Sequence, residues 1–258
     1  MIKVYKVTSK ILNQKRNISI YVPDSSKGPY RVLYMHDGQN LFFKENSFAG
    51  EIWDMHTQTE RLIKAGLIRP LMIVGIDNTK FRMDEYAPFD NSTIYLKYPD
   101  TNRVKFYGDN YMRFIVNELK PWVDKKFPTL PEKEHTLLAG SSLGGLISLY
   151  GGLMYPNIFG GLALLSTSAW WNETGLNALL SVKKPSNTQN YFISCGSNES
   201  GTLNAKDNRR YVQTTKKIYK ALKPNINYSL LNVYDGGIHN EPFWASQVSE
   251  FLQFLNKK

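Results

Sequence analysis

Residues 136–147 read TLLAGSSLGGLI, and this stretch decides the fold. A short apolar run stops at Gly140, and an apolar pattern with helical spacing begins at Leu143. With Ser142 and Gly144, the stretch contains G-x-S-x-G at a predicted strand-to-helix junction, the setting of a nucleophile elbow. Glycines flanking the serine would let the strand and the helix pack closely. Ser142 would then project its hydroxyl above the sheet, beside the positive end of the helix.

The five-residue pattern is weak evidence by itself. Chance alone produces G-x-S-x-G in roughly one chain in ten of this length, given ordinary glycine and serine frequencies. The alternative interpretation is a glycine-rich turn between a strand and a helix. The rest of the chain has to decide between the two.

Composition indicates an ordinary globular protein. The chain has 258 residues, of which 42% are hydrophobic and 21% are charged, values typical of soluble domains. No apolar stretch reaches transmembrane length, and the N-terminus lacks the apolar region of a signal peptide. The single cysteine, Cys195, excludes an internal disulfide. We therefore expect one domain over residues 1–258, a cytoplasmic location and no membrane partner.

The formal net charge of +10 raises the question of a nucleic-acid partner. The basic residues are scattered along the chain, however, and the densest patches are pairs such as Lys125–Lys126 and Arg209–Arg210. No nucleic-acid motif accompanies them. A solvated basic surface is the favoured interpretation, with attraction of anionic substrates as a second effect. The sequence predicts no nucleic-acid partner and leaves the oligomeric state open.

Short apolar segments alternate with helical patterns from about residue 30 onward. This order predicts a mostly parallel sheet with helices on both faces and an antiparallel N-terminal edge. Together with the elbow at Ser142, it favours the α/β-hydrolase fold. Pro121 is expected to kink the helix in which it lies. The predicted strands are 2–9, 17–22, 30–35, 71–76, 135–139, 161–165, 191–195 and 228–233, and the main predicted helices are 50–65, 111–123, 143–155, 211–222 and 244–255.

The segment 77–110 breaks this rhythm. It is polar and aperiodic, yet it contains aromatic residues, including Tyr86 and Phe89. Long aperiodic segments in compact domains are often functional. Because this one leaves the carboxyl end of a predicted central strand, we expect it to form a wall of the substrate pocket.

A serine nucleophile needs a base, and an acid usually orients that base. His239 is the only histidine after Ser142, and it lies in the loop that leaves the last predicted strand. The order Ser, acid, His is that of the α/β-hydrolases. Glu199 is the first carboxylate after the strand 191–195 and is the favoured acid. Asp207 is the alternative, although it could instead cap the following helix, and Asp235 is expected to shape a turn.

The developing oxyanion needs preorganised backbone donors. The N–H of Leu143, directly after the nucleophile, is one candidate. We assign the second to Gln39, in the loop that follows the strand 30–35, where Gly38 would allow the backbone to turn. Candidate pocket residues are aromatic, with core packing as the alternative for each: Trp53, Tyr86, Trp170 and Trp171.

The stretch YMHDGQNLF at residues 34–42, Trp53, the elbow GSSLGG, Cys195–Gly196 with Glu199, and His239 with Trp244 together resemble the putative esterase family. That group of α/β-hydrolases includes enterochelin esterases, feruloyl and acetylxylan esterases of carbohydrate esterase family 1, S-formylglutathione hydrolases and antigen 85 mycolyltransferases. The resemblance implies Ser142 as nucleophile, His239 as base and backbone donors at Leu143 and Gln39. The position of the acid varies in the family, and some members work with a Ser–His pair.

The sequence thus predicts a serine carboxylic-ester hydrolase that works through an acyl-enzyme. Its expected substrates are small esters or acyl groups linked to sugars or siderophores. No cofactor is needed, and no cluster of residues has metal-ligand spacing. An acyltransferase using the same acyl-enzyme, and a catalytically silent ligand-binding relative, are the alternatives.

Overall fold

The computed structural model of the protein describes residues 1–48, 50–89, 106–202 and 204–256. Within these ranges, eight strands form a single sheet in the order β1-β2-β4-β3-β5-β6-β7-β8. The strands are β1 (Ile2–Ser9), β2 (Gln14–Tyr21), β3 (Arg31–His36), β4 (Leu71–Ile76), β5 (Thr136–Ser141), β6 (Gly161–Leu165), β7 (Asn190–Gly196) and β8 (Tyr228–Tyr234).

The sheet is parallel from β4 to β8 in spatial order, and β1 and β2 add an antiparallel edge. Every residue of β3, β4, β5 and β6 is buried, as expected for strands covered on both faces. Because parallel strands all run the same way, the segments that follow β3 to β8 leave from the same side of the sheet, at the carboxyl ends of the strands. The predicted fold is confirmed, and the candidate site lies at these carboxyl ends.

Helices cover both faces of the sheet. The α-helices in the described ranges are α1 (Met55–Lys64), α2 (Arg82–Glu85), α3 (Gly108–Phe114), α4 (Lys120–Lys126), α5 (Leu143–Met154), α6 (Glu173–Val182), α7 (Ala205–Leu222), α8 (Glu241–Ser246) and α9 (Val248–Leu255). Two buried apolar clusters lie between the sheet and these helices, one including α3, α5, α6 and α7 and the other including α1, α8 and α9. None of the described helices is long and apolar enough to cross a membrane.

Pro121 lies near the start of α4, directly after a π-helical segment, Ile115–Leu119, that joins α3 to α4. A proline in a helix cannot donate to the carbonyl four residues earlier and collides with it. The wider π turn precedes this position, so helical structure continues from Gly108 to Lys126 rather than ending at the proline.

The structure describes the beginning and the end of the segment 77–110, and residues 90–105 of the expected pocket wall lie outside the described residues. The described beginning contains the short helix α2. Phe89 packs edge-on against Tyr150 of α5, with ring centroids 6.0 Å apart. Tyr86 is buried in the main core.

Candidate active site

The chain makes a tight turn at Ser142, between the end of β5 and the start of α5. Ser142 has φ 59° and ψ −124°, a backbone conformation that costs energy for a residue with a side chain. A Cβ at Gly140 would lie 2.6 Å from the carbonyl carbon of Gly144, so glycine is required there. At Gly144 itself, the nearest atom would be 3.4 Å away, which leaves more room. The strand-turn-helix context predicted for the elbow is therefore present.

Ser168 is the immediate partner of Ser142, and sequence reasoning missed it. The Oγ atoms of the two serines lie 3.1 Å apart, and the Ser168 N–H donates to the carbonyl oxygen of Ser142 at 3.0 Å. Among the described residues, Ser142 Oγ makes no hydrogen bond to His239. Ser168 belongs to the short polar run after β6, whose position at the carboxyl end of a strand was the available signal.

Glu199 and His239 form a hydrogen-bonded pair. Glu199 Oε2 lies 2.6 Å from His239 Nδ1, and the His239 N–H donates to the Glu199 carbonyl at 3.3 Å. Glu199 Oε1 accepts from the Ser166 hydroxyl and from the Gly196 N–H, each at 2.6 Å. Glu199 is only 3% exposed as a residue, and these contacts hold its carboxylate in one orientation. Nδ1 of His239 is thereby occupied, so Nε2 is the atom free to exchange a proton.

Two aromatic side chains hold the imidazole of His239. The Trp244 ring meets it edge-on at 4.9 Å between centroids, and the Tyr211 ring lies at 5.2 Å. Trp244 Nε1 donates to Ser166 Oγ at 2.9 Å, which connects this contact back to the hydroxyl that supports Glu199. The His239 side chain therefore has a defined position at the end of the sheet.

Tyr211 links the histidine to the serine side of the site. Its hydroxyl accepts a hydrogen bond from Trp170 Nε1 at 2.8 Å and interacts with the side chain of Ser168. Burial raises the pKa of Tyr211, so the phenol keeps its proton. Tyr211 thus lies between the imidazole of His239, on which its ring packs, and the serine side of the site, where Trp170 donates to its hydroxyl. The helix predicted at 211–222 begins at this tyrosine, but the apolar spacing of the helix could not show that the Tyr211 ring packs against His239.

The structure brings Glu199, and not Asp207, to His239. Asp207 is exposed in the first turn of α7, where its carboxylate accepts from Asn204 Nδ2 at 2.7 Å and its N–H donates to the Asn204 side chain. The alternative interpretation, in which Asp207 caps this helix, is wrong in detail: Asn204 is the capping residue, and Asp207 lies in the first turn that it caps. Asp235 accepts from the Ser197 hydroxyl at 3.0 Å within the turn after β8.

The two predicted oxyanion donors lie at the starts of helical turns. Leu143 is the first residue of α5, where a backbone N–H has no partner within the helix. Gln39 lies in the 3-10 turn Gly38–Asn40, which follows β3. The left-handed residue of this turn is Asp37, with φ 55°, and not Gly38 as the turn argument expected. Gly38 is needed for space, since a Cβ there would lie 2.5 Å from the carbonyl carbon of Gly75 in β4.

The aromatic pocket candidates differ in exposure. Trp53, Tyr86 and Trp171 are 3%, 0% and 2% exposed, so in this conformation they contribute to the core rather than to an open surface. Trp53 packs on Trp244, at 6.0 Å between centroids. Trp170 is partly exposed, and its indole N–H donates to the hydroxyl of Tyr211, whose ring packs against His239.

A second potential nucleophile, Cys195, is buried in β7. Burial raises the pKa of its thiol to about 11, so the reactive thiolate is disfavoured.

His36, which ends β3, is also buried. Its Nδ1 lies 2.9 Å from the Tyr111 hydroxyl, and burial lowers the pKa of the imidazole to about 3. It is therefore a neutral supporting residue beneath the elbow.

Comparison with known proteins identifies the group to which this architecture belongs. The model of the family described as "Putative esterase" matches residues 9–255. This chain belongs to that family. Ester hydrolysis is accordingly its class of activity, and the resemblance drawn from the sequence motifs is confirmed.

Individual relatives of this esterase are distant. The uncharacterized protein YbbA of Bacillus subtilis is 27% identical over 94% of this chain and 93% of its own length. The ferri-bacillibactin esterase BesA of the same organism is 27% identical over 62% of this chain and 57% of its own length. An IroE-like serine hydrolase from Shewanella oneidensis superposes with a TM-score of 0.78 at 18% identity, over 99% of this chain and 80% of its own, which supports the fold.

Proposed function

We propose that this esterase cleaves carboxylic esters through an acyl-enzyme on Ser142. The observation that carries the proposal is the hydrogen-bonded pair of Glu199 and His239, held at the same sheet edge as the elbow serine. A serine on a strained strand-helix turn, with a carboxylate-oriented histidine in the loop after the last strand, is the arrangement that serine hydrolases use.

In the proposed reaction, Ser142 Oγ leaves its contact with Ser168, gives its proton to Nε2 of His239 and attacks the ester carbonyl carbon. Glu199 stabilises the resulting imidazolium through Nδ1 without taking the proton. The carbonyl oxygen becomes negatively charged and is stabilised by the N–H groups of Leu143 and Gln39. The imidazolium then protonates the leaving alcohol, and a water molecule activated by His239 releases the acyl group.

For the substrate, we propose small esters, including acyl groups linked to sugars or siderophores. The relative BesA is named as an esterase of ferri-bacillibactin. The exposed part of Trp170 and the ring of Tyr211 offer an aromatic surface beside the histidine, and segment 77–110 is proposed as a further wall. An ester series from acetyl to cinnamoyl, assayed with and without an acceptor alcohol, would rank acyl groups and separate hydrolysis from acyl transfer.

The test of the nucleophile compares two adjacent serines. Ser142→Ala should lower kcat for p-nitrophenyl acetate by about 10⁴- to 10⁶-fold, because losing the nucleophile removes the covalent route. Ser141→Ala is the matched control, since it shortens the neighbouring side chain by the same hydroxyl and should retain most of the activity. If Ser141→Ala were inactive and Ser142→Ala active, the nucleophile would be assigned to the wrong serine.

A further inference from the structure

Asp37 introduces the turn that carries Gln39, and it does so in an unfavourable backbone conformation. Its φ of 55° and ψ of 47° lie in the left-handed region. A non-glycine residue stays there only when surrounding contacts hold it. The contacts of Asp37 therefore determine where the turn Gly38–Asn40 lies.

Those contacts come from the segment after β4. Arg82 Nε donates to Asp37 Oδ1 at 2.7 Å, and Arg82 Nη2 donates to Oδ2 at 2.9 Å, a two-point ion pair. Asn78 Nδ2 donates to Oδ1 at 2.6 Å, and the Asp37 N–H donates to the Tyr86 hydroxyl at 3.0 Å. The backbone N–H and the side-chain carboxylate of Asp37 are thus both held by residues between 78 and 86.

Gln39 is connected to the same segment. Its side-chain oxygen accepts a hydrogen bond from the Asn78 N–H at 3.0 Å. Between Asp37 and Gln39, Gly38 packs directly against the backbone of β4. Residues 37–39 are consequently held against one neighbouring strand, β4, and the segment that follows it.

Charge gives the ion pair a second role. A lone carboxylate two residues from an oxyanion donor would oppose negative charge on the substrate oxygen, and the effect would be strong in a poorly hydrated site. Burial by itself disfavours the charge on Asp37, but Arg82 and Asn78 outweigh this effect and hold the pKa of Asp37 below its usual value. The carboxylate is thus present as an ion, and the Arg82 guanidinium balances it.

We propose that Asp37 and Arg82 are positioning residues for the oxyanion donor: their ion pair holds the turn so that the Gln39 N–H meets the developing oxyanion, and it cancels the carboxylate charge beside that oxyanion. This inference rests on the proposed function. In this proposal both side chains act through the turn that carries Gln39, so their effect is on the transition state and not on substrate binding.

The experiment uses the full-length protein with Arg82→Met, Arg82→Lys and Asp37→Asn. Lys120→Met is the matched control, because the Lys120–Asp124 pair has the same 2.7 Å contact and similarly low exposure. Lys120 also donates to the Pro131 carbonyl in the segment that enters β5, so this pair lies at the amino ends of the strands, away from the candidate site. Melting temperature, kcat and KM would be measured with p-nitrophenyl acetate and with its thiono analogue. Sulfur is a weak hydrogen-bond acceptor, so the oxo/thiono rate ratio reports on the oxyanion donors.

We expect Arg82→Met to lower kcat by about 10- to 100-fold, less than the loss of a whole oxyanion donor, because the turn loosens and the Asp37 charge is left uncompensated. Asp37→Asn should lower kcat by a smaller factor, because it loosens the same turn but also removes the charge that opposes the oxyanion. KM should stay near its wild-type value, the oxo/thiono ratio should fall, and Arg82→Lys should recover part of the loss. Lys120→Met should lower the melting temperature and leave both the ratio and kcat unchanged. If Arg82→Met does not fold, Asp37→Asn and Arg82→Lys carry the same comparison.

Two results would overturn the proposal in different ways. An active wild type whose Arg82 and Asp37 variants keep the wild-type oxo/thiono ratio would remove the positioning role and leave the proposed function intact. A wild type whose ester hydrolysis equals that of Ser142→Ala would remove the proposed function, and the positioning role with it.

Discussion

At the scale of single residues, Glu199 joins three separate parts of the chain. Its carboxylate contacts the loop after β8 through His239, the end of β6 through Ser166, and the end of β7 through the N–H of Gly196. Sequence order could narrow the acid to Glu199 or Asp207, because either could follow β7 into the site. The choice depended on which loop folds back, and a linear pattern does not contain that information.

We predict that Glu199→Gln lowers kcat by about 10³- to 10⁴-fold, because the histidine loses both its orientation and the charge that stabilises the imidazolium. Asp207→Asn is the matched control, as it removes a carboxylate of the same charge from the exposed first turn of α7 and should leave kcat near the wild-type value. Steady-state hydrolysis of p-nitrophenyl acetate would measure both variants.

Other outcomes of this comparison are equally informative. A large loss confined to Asp207→Asn would transfer the role of the acid to that residue. Small losses in both variants would instead indicate that the enzyme works with a Ser142–His239 pair.

At the scale of elements, strands buried on both faces were the most predictable. The segments predicted at 71–76 and 161–165 match β4 and β6, because an apolar run bounded by proline, glycine or polar residues fixes both ends. The second strand was predicted from residue 17, but β2 begins at Gln14, where it pairs with Ser9 across the hairpin. Pairing with a neighbour extends this strand through polar residues that carry no apolar signal.

Ser168 and Tyr211 show what local patterns could not supply. Ser168 lies after β6 and Tyr211 lies on α7, and they meet only because both elements pack at the same end of the sheet. A serine in a loop and a tyrosine on a half-buried helix face are both common, so neither residue type indicates a site. The proposed nucleophile, Ser142, and the proposed base, His239, are by contrast indicated in the sequence by a motif and by a chain order.

At the scale of the whole molecule, the strand order places β4 beside β3. The segment after β4 therefore lies next to the turn after β3, and this adjacency creates the Asp37–Arg82 pair. Strand alternation predicted a parallel sheet but not its order, so the pair could not be foreseen. Asp37 and Asn78 are 41 residues apart in sequence, yet they are hydrogen-bonded to each other, so the turn after β3 and the segment after β4 form one structural unit.

The same region should make global stability depend on pH. Burial lowers the pKa of His36 to about 3, so the native protein keeps it neutral while the unfolded chain protonates it below about pH 6.5. The stability that this group contributes is therefore complete above pH 6.5 and is lost as the pH falls towards 3. Asp77 acts in the opposite sense, because burial raises its pKa to about 6.

We predict that His36→Asn, whose amide can still reach the Tyr111 hydroxyl, removes this dependence. Relative to the variant, the wild type should lose about 1 kcal/mol of unfolding free energy per pH unit between pH 6 and pH 4. Urea unfolding at several pH values would measure the difference, in which the contribution of Asp77 cancels. Parallel curves for the two proteins would show that His36 is not the group responsible.

The central claim is that ester hydrolysis proceeds through a covalent acyl group on Ser142. The most direct measurement is rapid acid quenching during turnover of a p-nitrophenyl ester, followed by intact-mass analysis and fragmentation of the modified peptide. The account predicts a single acyl group per chain, located on Ser142 and absent from Ser141, and no adduct in Ser142→Ala. An acyl group on another residue, such as Cys195, or continued turnover by Ser142→Ala at the wild-type rate, would contradict it.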